Sequence, residues 1–425
     1  MLPSGKYRNT ILTLLFFATT INYLDRQVIG LLKDTLAKDF NWSEKDYSNI
    51  VMAFSAAYAI GLFCFGWLID RIGSKFGYTI SVVVWSLAAM AHALAKSTFG
   101  FGIARVSLGL GEGGNFPASI KAVAEWFPKK DRALATGIFN SGTNVAAMIG
   151  PPVIAWIFTS YGWHKAFIWT GMLGFIWLIF WFWLYEIPAK QKRLSKTEFD
   201  YIHTDDINNT IENKKIKWQK LITIKQTWAF VFGKFLTDPI WWFYLFWIPS
   251  YFNTTYSLDI KGSAKYVSTI YVVAGFGSIL GGHLSGLFIK KGMPVYKARK
   301  IAMFIFACLV TPVILVRFTN NAWTAVALIS LAAAAHQAWS ANIFTTASDM
   351  FPKAAVSSVV GIGGMAGSVG GILFPLLIGI LLDHFKALNI LSTGYNIIFI
   401  ICGSAYLLAW MVMHILAPQM KQVDI

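Results

Sequence analysis

Charge is what this sequence has least of. Only 13% of its 425 residues are charged, and 56% are hydrophobic. A soluble protein carries about 25% charged residues, so this balance excludes a cytosolic enzyme and a disordered chain. Cysteine is scarce as well. Cys64, Cys308 and Cys402 have no metal-site spacing, and an odd number cannot close a disulfide framework. Each sits in an apolar run and reads as a small buried residue. Catalytic signatures are missing: there is no H-E-x-x-H, no G-x-S-x-G and no P-loop. The glycine-rich run from Gly109 to Gly114 lies inside an apolar segment, not after a strand, and reads as a packing face. An enzyme and an ATP-driven pump are therefore disfavoured, and no cofactor or metal is expected.

What the chain has in abundance is long apolar runs. A membrane span needs about 20 mainly apolar residues. Twelve runs qualify, over residues 10–32, 47–69, 77–95, 99–123, 133–158, 163–185, 226–252, 266–289, 300–318, 322–346, 355–382 and 393–416. The first carries Asp25 and Arg26 and reads as a retained span, not a cleaved signal. Short segments of alternating polarity are absent, which argues against a β-barrel. The expectation is an all-α membrane protein of twelve helices in two six-helix bundles, 1–185 and 226–425. Residues 186–225 form a polar linker holding Lys190, Lys192, Arg193, Lys196, Lys214, Lys215, Lys217, Lys220 and Lys225. Lys and Arg concentrate in the segments that are cytoplasmic if the N-terminus is inside, so both termini are expected there. The net charge of +16 is then mainly topological, and no nucleic-acid partner is implied. The basic linker would lie on the inner leaflet, where anionic lipid is an added contact.

The halves repeat each other. Phe127-Pro128-Lys129 recurs as Phe351-Pro352-Lys353, 224 residues on, and the same offset carries Gly137 onto Gly361 and Pro151 onto Pro375. Gly66 to Lys75 closes the second span as Gly282 to Lys291 closes the eighth. Parallel six-helix repeats are a transporter design, with the substrate near the midplane between them.

Asp25, Arg26, Arg105, Glu112, Lys234 and Asp238 stand inside these apolar runs. Unpaired, the six would cost roughly 15–20 kcal/mol, so they must pair, face water or change protonation. Arg105 and Glu112 are two helical turns apart, and Lys234 and Asp238 one turn apart. Lys234–Asp238 has a structural ion pair as its plain alternative. An anionic substrate needs a cation, and arginine offers a planar fork for a carboxylate; Arg26 and Arg105 have that chemistry. A proton carrier needs a carboxyl that can change its protonation within the membrane, and Asp25 and Glu112 fit. These roles combine into one scheme. Asp25 or Glu112 pairs with Arg105 when the site is empty, and protonation then frees the arginine for the substrate.

The G-x-x-x-D-R-x-G-x-K stretch at 66–75 resembles the signature loop of the major facilitator superfamily. Asn22-Tyr23-Leu24-Asp25-Arg26, Arg105 with Gly109-Leu110-Gly111-Glu112, the run from Lys234 to Tyr244, and Ala335 to Asn342 resemble its anion:cation symporter branch, and within that branch the hexuronate transporters. The resemblance implies proton-coupled uptake of glucuronate or galacturonate across the inner membrane. Alternatives are an aldonate, glucarate or another organic anion, and a non-transporting sensor. Partners are then a small organic anion, protons and membrane lipid, with the protein acting as a monomer. Candidate substrate contacts are Tyr23, Arg26, Arg105, Asn140, Asn144, Lys234, Trp241, His336, Gln337 and Asn342, with helix packing as the plain alternative for the aromatics and the histidine. The superfamily pattern also implies a gate at Asp70 and Arg71. Asp70 would pair with a cation after the fourth span, Arg132 being the nearest match, and face the N-terminus of the eleventh. The second repeat has Gly286 at the acidic position, so an acidic gate is expected only at Asp70.

Overall fold

The computed structural model describes residues 7–204, 218–257 and 260–423. Among them are sixteen α-helices and no strand. The first eight are α1 (Tyr7–Leu31), α2 (Lys33–Phe40), α3 (Glu44–Ile72), α4 (Ser74–Ala91), α5 (Thr98–Glu112), α6 (Asn115–Trp126), α7 (Lys129–Tyr161) and α8 (Trp163–Leu184). Two short ones come next, α9 (Lys196–Ile202) and α10 (Trp218–Leu221). The rest are α11 (Lys225–Tyr256), α12 (Ile260–Lys290), α13 (Val295–Val310), α14 (Ala322–Met350), α15 (Val356–Ala387) and α16 (Leu391–Leu416).

Local chemistry sets the ends. Ser43 opens α3 with a capping box: its Oγ accepts from Asp46 N at 3.2 Å, and its own N–H donates to Asp46 Oδ2 at 2.9 Å. Gly73 joins α3 to α4 at φ 91°, a conformation that favours glycine. Pro312 lies where α13 tightens into a 3₁₀ turn over Thr311–Phe318.

The fourth apolar run departs from expectation. It is two helices, α5 and α6, broken at Gly113 and Gly114. Both glycines are jammed against neighbours: Gly113 against the backbone of Gly61 and Leu62, Gly114 against Ser81. By length and composition, eight of the described helices can cross a membrane. Helices α1, α5, α6, α11 and α14 are not among those eight. They carry Asp25 and Arg26, Arg105 and Glu112, Lys121, Lys234 and Asp238, and His336 and Gln337. Helices α5 and α6 fall out by being short, the fourth run being broken in two, while α1, α11 and α14 are long and carry polar side chains inside the apolar runs.

Large apolar side chains such as Phe276, Leu280, Trp156 and Ile380 stay exposed on the outer surface. Cys402 is buried as expected, but Cys64 and Cys308 are on the surface, because their helices turn apolar faces outwards there.

The linker is fastened to the first helices. Glu198 on α9 is 1% exposed and accepts from Tyr7 N and Arg8 N, both at 3.1 Å. It thereby caps the orphan donors of α1. Burial works against the charge of Glu186, yet Lys75 Nζ at 2.9 Å and the Ile187 N–H hold its carboxyl below the usual range. Lys214, Lys215 and Lys217 lie outside the described residues. Glu198→Ala is expected to cost about 1 kcal/mol through loss of the cap, read as a lower melting temperature in detergent.

Helices α3 and α7, which precede the linker, pack on α15 and α12, which lie beyond it. Glycines set that approach. A Cβ on Gly66 would meet Ser357 O at 2.5 Å and the Cα of Gly361 at 3.1 Å; one on Gly361 would run into Leu62 O. On the other side, Gly137 faces Ser278 O, and Gly282 faces Ala133 O and the Cα of Leu134. Gly137 and Gly361 are repeat mates, and so are Gly66 and Gly282. The two contacts are thus one contact used twice.

Candidate functional site

Helix α1 turns two polar faces in different directions. Tyr23 and Arg26, three residues apart, line a central cavity. Asn22 and Asp25 do not line it, and both are buried. Arg26 is held by Glu112, whose Oε2 accepts from Nε at 2.9 Å and lies 2.8 Å from Nη2. Its guanidinium sits 4.5 Å from the Tyr23 and Tyr58 ring centres and 5.0 Å from that of Phe54. Glu112 is fully buried behind the arginine, while the Arg26 side chain keeps 12% exposure.

Arg105 takes a different place from the one expected. It pairs with neither acid. Its Nη2 donates to the backbone oxygen of Arg26 at 3.0 Å, and it packs 4.7 Å from the Phe54 ring centre. The reason is position: Glu112 ends α5 and turns to the α1 guanidinium, leaving Arg105, two turns back, to brace the α1 backbone. Around this pair, both oxygens of Asp25, the Asn22 amide, Glu112 Oε1 and two Arg105 nitrogens have no hydrogen-bond partner in the protein. Satisfying them takes water or a ligand.

The opposite wall comes from α11 and α14. Lys234 Nζ lies 2.7 Å from Asp238 Oδ2, one turn along α11, and 3.9 Å from the Phe344 ring centre. Trp241 stacks on His336 at 5.1 Å and 8°. His336 is fixed by a hydrogen bond to the Tyr406 hydroxyl, which also donates to Thr237 O at 3.3 Å. Asn140 on α7 reaches across to Gln337 on α14, donating to Oε1 at 2.9 Å, and also donates to Ser278 Oγ at 3.2 Å. Tyr23, Arg26, Asn140, Lys234, Trp241, His336 and Gln337 all line the cavity. Its volume of about 90 Å³ is several times the roughly 10–15 Å³ one water needs.

Three expected contacts fall elsewhere. Arg105 is the first. Asn144 lies behind the cavity wall, beside Gly275 on α12. Asn342 bridges helices, donating to Gly281 O and Ala338 O, both at 2.9 Å; α12 approaches too closely there for its amide to reach the cavity. Sequence reasoning missed Tyr58, Thr143, Ser340 and Ser368, which also line it. None is an unusual residue for an apolar run, so no signal marked them.

One end of the molecule is tied shut by charge. Asp70 Oδ1 and Oδ2 accept from Ser357 N at 3.3 Å and Ser358 N at 2.6 Å, which are orphan donors in the first turn of α15. Its cation is Lys121 at 2.8 Å, not Arg132. Lys121 is on α6, beside Asp70, and is buried. It stands inside the run 99–123, and that was its signal. The Arg132 guanidinium is engaged elsewhere: Nη1 donates to Ser348 O at 2.7 Å, Nε to Phe127 O at 3.0 Å, and Nη1 lies 3.4 Å from Asp349 Oδ1. Asp349 in turn accepts from Arg299 Nε at 3.0 Å. So a second acid serves this end although Gly286 is not one. Its signal was the repeat: Glu125 and Asp349 stand at the same offset before Phe-Pro-Lys. Arg71 sits 5.2 Å over Trp67 and is exposed. Among the described residues, no cluster of three or more ligands could hold a metal.

Overpacking costs about 1–3 kcal/mol, enough to shift a closed–open balance by roughly five- to 150-fold. Gly361→Ala is therefore expected to leave folded protein that cannot close this end, with uptake reduced about tenfold or more. Unchanged uptake would show that the α3–α15 approach can relax.

Two helical walls around one polar cavity, each presenting a cation held by a carboxylate, and an end closed by ion-capped helices define a membrane carrier. The profile of the Major Facilitator Superfamily matches residues 15–375, and the chain belongs to that family. It is a transporter, not an enzyme, and a multi-pass protein of the inner membrane. Its fold is similar to that of the proton:xylose symporter XylE, with TM-score 0.76 at 16% identity over 98% of this chain and 97% of that one. The chain is 33% identical to the hexuronate transporter of Escherichia coli (strain K12), covering 88% of this chain and 87% of the relative. It is 34% identical to the galacturonate transporter of Dickeya chrysanthemi over 65% of this chain and 81% of that relative. It is 31% identical to a probable galactarate/D-glucarate transporter of Escherichia coli (strain K12), over 90% of each chain.

Proposed function

We propose that the protein takes up a sugar acid, foremost a hexuronate such as glucuronate or galacturonate, together with protons by alternating access. Twelve spans form two bundles, 1–185 and 226–425, joined by the linker 186–225. Both termini are cytoplasmic, and the closed end is the inner gate. The chain works as a monomer.

The observation that carries this reading is the Arg26–Glu112 pair, with the arginine on the cavity wall and the acid buried behind it. With the site empty, Glu112 occupies the arginine. A proton arriving from outside neutralises Glu112 and frees the guanidinium fork for the substrate carboxylate. Asp25, buried nearby without a partner, is a second proton stop. Trp241, stacked on His336, offers a sugar ring a platform, and Gln337 and Asn140 offer amides to its hydroxyls. Energetics favour a co-transported cation, and a proton serves. Bringing in one negative charge is uphill by about 2.3 kcal/mol per 100 mV, and one co-transported proton cancels that charge.

Similarity to a probable galactarate/D-glucarate transporter and to a D-galactonate transporter keeps other sugar acids as a second reading. The test is uptake into liposomes driven by an acid-outside gradient, with labelled glucuronate, galacturonate, galactarate and galactonate. Accumulation of a hexuronate that collapses when the gradient is dissipated supports the reading. Failure of every sugar acid to accumulate sinks it, and binding without uptake would identify a sensor.

A further inference from the structure

We propose that the Lys234–Asp238 pair sets how many carboxylates the site accepts, admitting a sugar acid with one acidic end and rejecting diacids. This rests on the sugar-acid reading above. The cavity wall carries two cations, Arg26 and Lys234, and one carboxylate, Asp238. Glu112 is behind the wall, so protonating it frees Arg26 alone for an anion.

Asp238 is held in place by more than its lysine. Its Oδ2 presses on Gly367 of α15, where a Cβ would collide with it. Pro239 and Phe235 press in the same way on Gly370, a Cβ there lying 2.7 Å from Pro239 Cγ and 2.8 Å from Phe235 O. The whole α11 turn is therefore seated on bare α15 backbone. Lys234 is pinned between this carboxylate and the Phe344 face, with 5% exposure, while Asp238 keeps 22%. The acid is the more open of the two to a ligand.

That arrangement treats two kinds of ligand end differently. A hydroxylated end can donate to Asp238 and accept from a remaining Lys234 N–H, with every charge still paired. A second carboxylate would have to share one ammonium with Asp238, placing two negative charges side by side in a dry site. A purely structural pair would not need an accessible acid.

The test measures labelled galacturonate uptake in proteoliposomes and its inhibition by unlabelled galacturonate or galactarate. In the wild type, galactarate is expected to inhibit at least about tenfold more weakly, because like charges meeting at a recognition site are strongly disfavoured. Asp238→Asn should narrow that ratio by about tenfold, and Asp238→Glu, which keeps the charge, should preserve it. Equal inhibition of the wild type by both acids overturns the proposal while leaving sugar-acid transport standing. So does an unchanged ratio in Asp238→Asn, or a ratio narrowed as much in Asp238→Glu. If Asp238→Asn does not fold, the wild type and Asp238→Glu decide. If the wild type accumulates none of the sugar acids in the panel above, the sugar-acid reading itself has failed.

Discussion

Glu112→Gln is expected to abolish accumulation of substrate against a gradient while sparing exchange of labelled for unlabelled substrate. Glutamine keeps the shape and one acceptor oxygen for Arg26, so the 2.9 Å contact from Nε can persist as a neutral hydrogen bond. What disappears is the charge that competes with the substrate and the group that carries the proton. Binding an anion then needs no proton, and release inside gains nothing from one. One pH unit across the membrane is worth about 1.4 kcal/mol per proton, or tenfold accumulation, and the variant should lose that factor. Its half-saturation should also cease to depend on external pH, whereas the wild type binds better as pH falls. Normal accumulation by the variant would remove Glu112 from the proton path and leave Asp25 as the carrier. Asp25→Asn is the companion measurement.

Arg26→Lys should be nearly as damaging, although it keeps the positive charge. Arg26 donates from Nε to one Glu112 oxygen, which also lies 2.8 Å from Nη2, and its guanidinium sits 4.5 Å from the Tyr23 and Tyr58 ring centres. A lysine offers a point charge and cannot stack as a plane. Losing one charge-assisted hydrogen bond and the stacking costs about 3 kcal/mol, which is roughly a hundredfold in half-saturation. Titrating uptake rate against substrate concentration reads this directly. A change under about threefold would mean that the fork is not the carboxylate contact and that Lys234 is. Arg105→Lys supplies the contrast. Arg105 braces the α1 backbone and does not line the cavity, so its loss should lower stability more than it weakens affinity.

The sequence displayed the apolar runs, the duplication and the in-span charges because each is a composition signal with a physical cost behind it. Which charge met which was not legible. Arg105 and Glu112 share a face of α5, yet Glu112 pairs with α1, since that depends on how α1 and α5 pack and not on spacing within one helix. The same holds for Asp70, whose cation came from α6 and not from the start of α7. Asn342 looked like a ligand because an amide in an apolar run needs partners; its nitrogen found them in the backbone of α12 and in its own helix. The break at Gly113 and Gly114 was written as a glycine cluster, but only the crowding by Gly61, Leu62 and Ser81 shows why it had to be glycine.

The two glycine-lined contacts, Gly66 and Gly361 between α3 and α15 and Gly137 and Gly282 between α7 and α12, bear on populations. A carrier that cycles needs its two end states close in free energy, because a gap of about 5.5 kcal/mol already separates 1:99 from 99:1. Interlocked large side chains would bury much apolar area and make the closed state a deep well. Glycine-lined backbone contacts have no side chains to disengage, and beside them stand the Asp70 hydrogen bonds and ion pair that water can replace on opening. The duplication then has a thermodynamic effect. Two equivalent weak contacts open or close together, which gives the switch sharpness without making either state hard to leave.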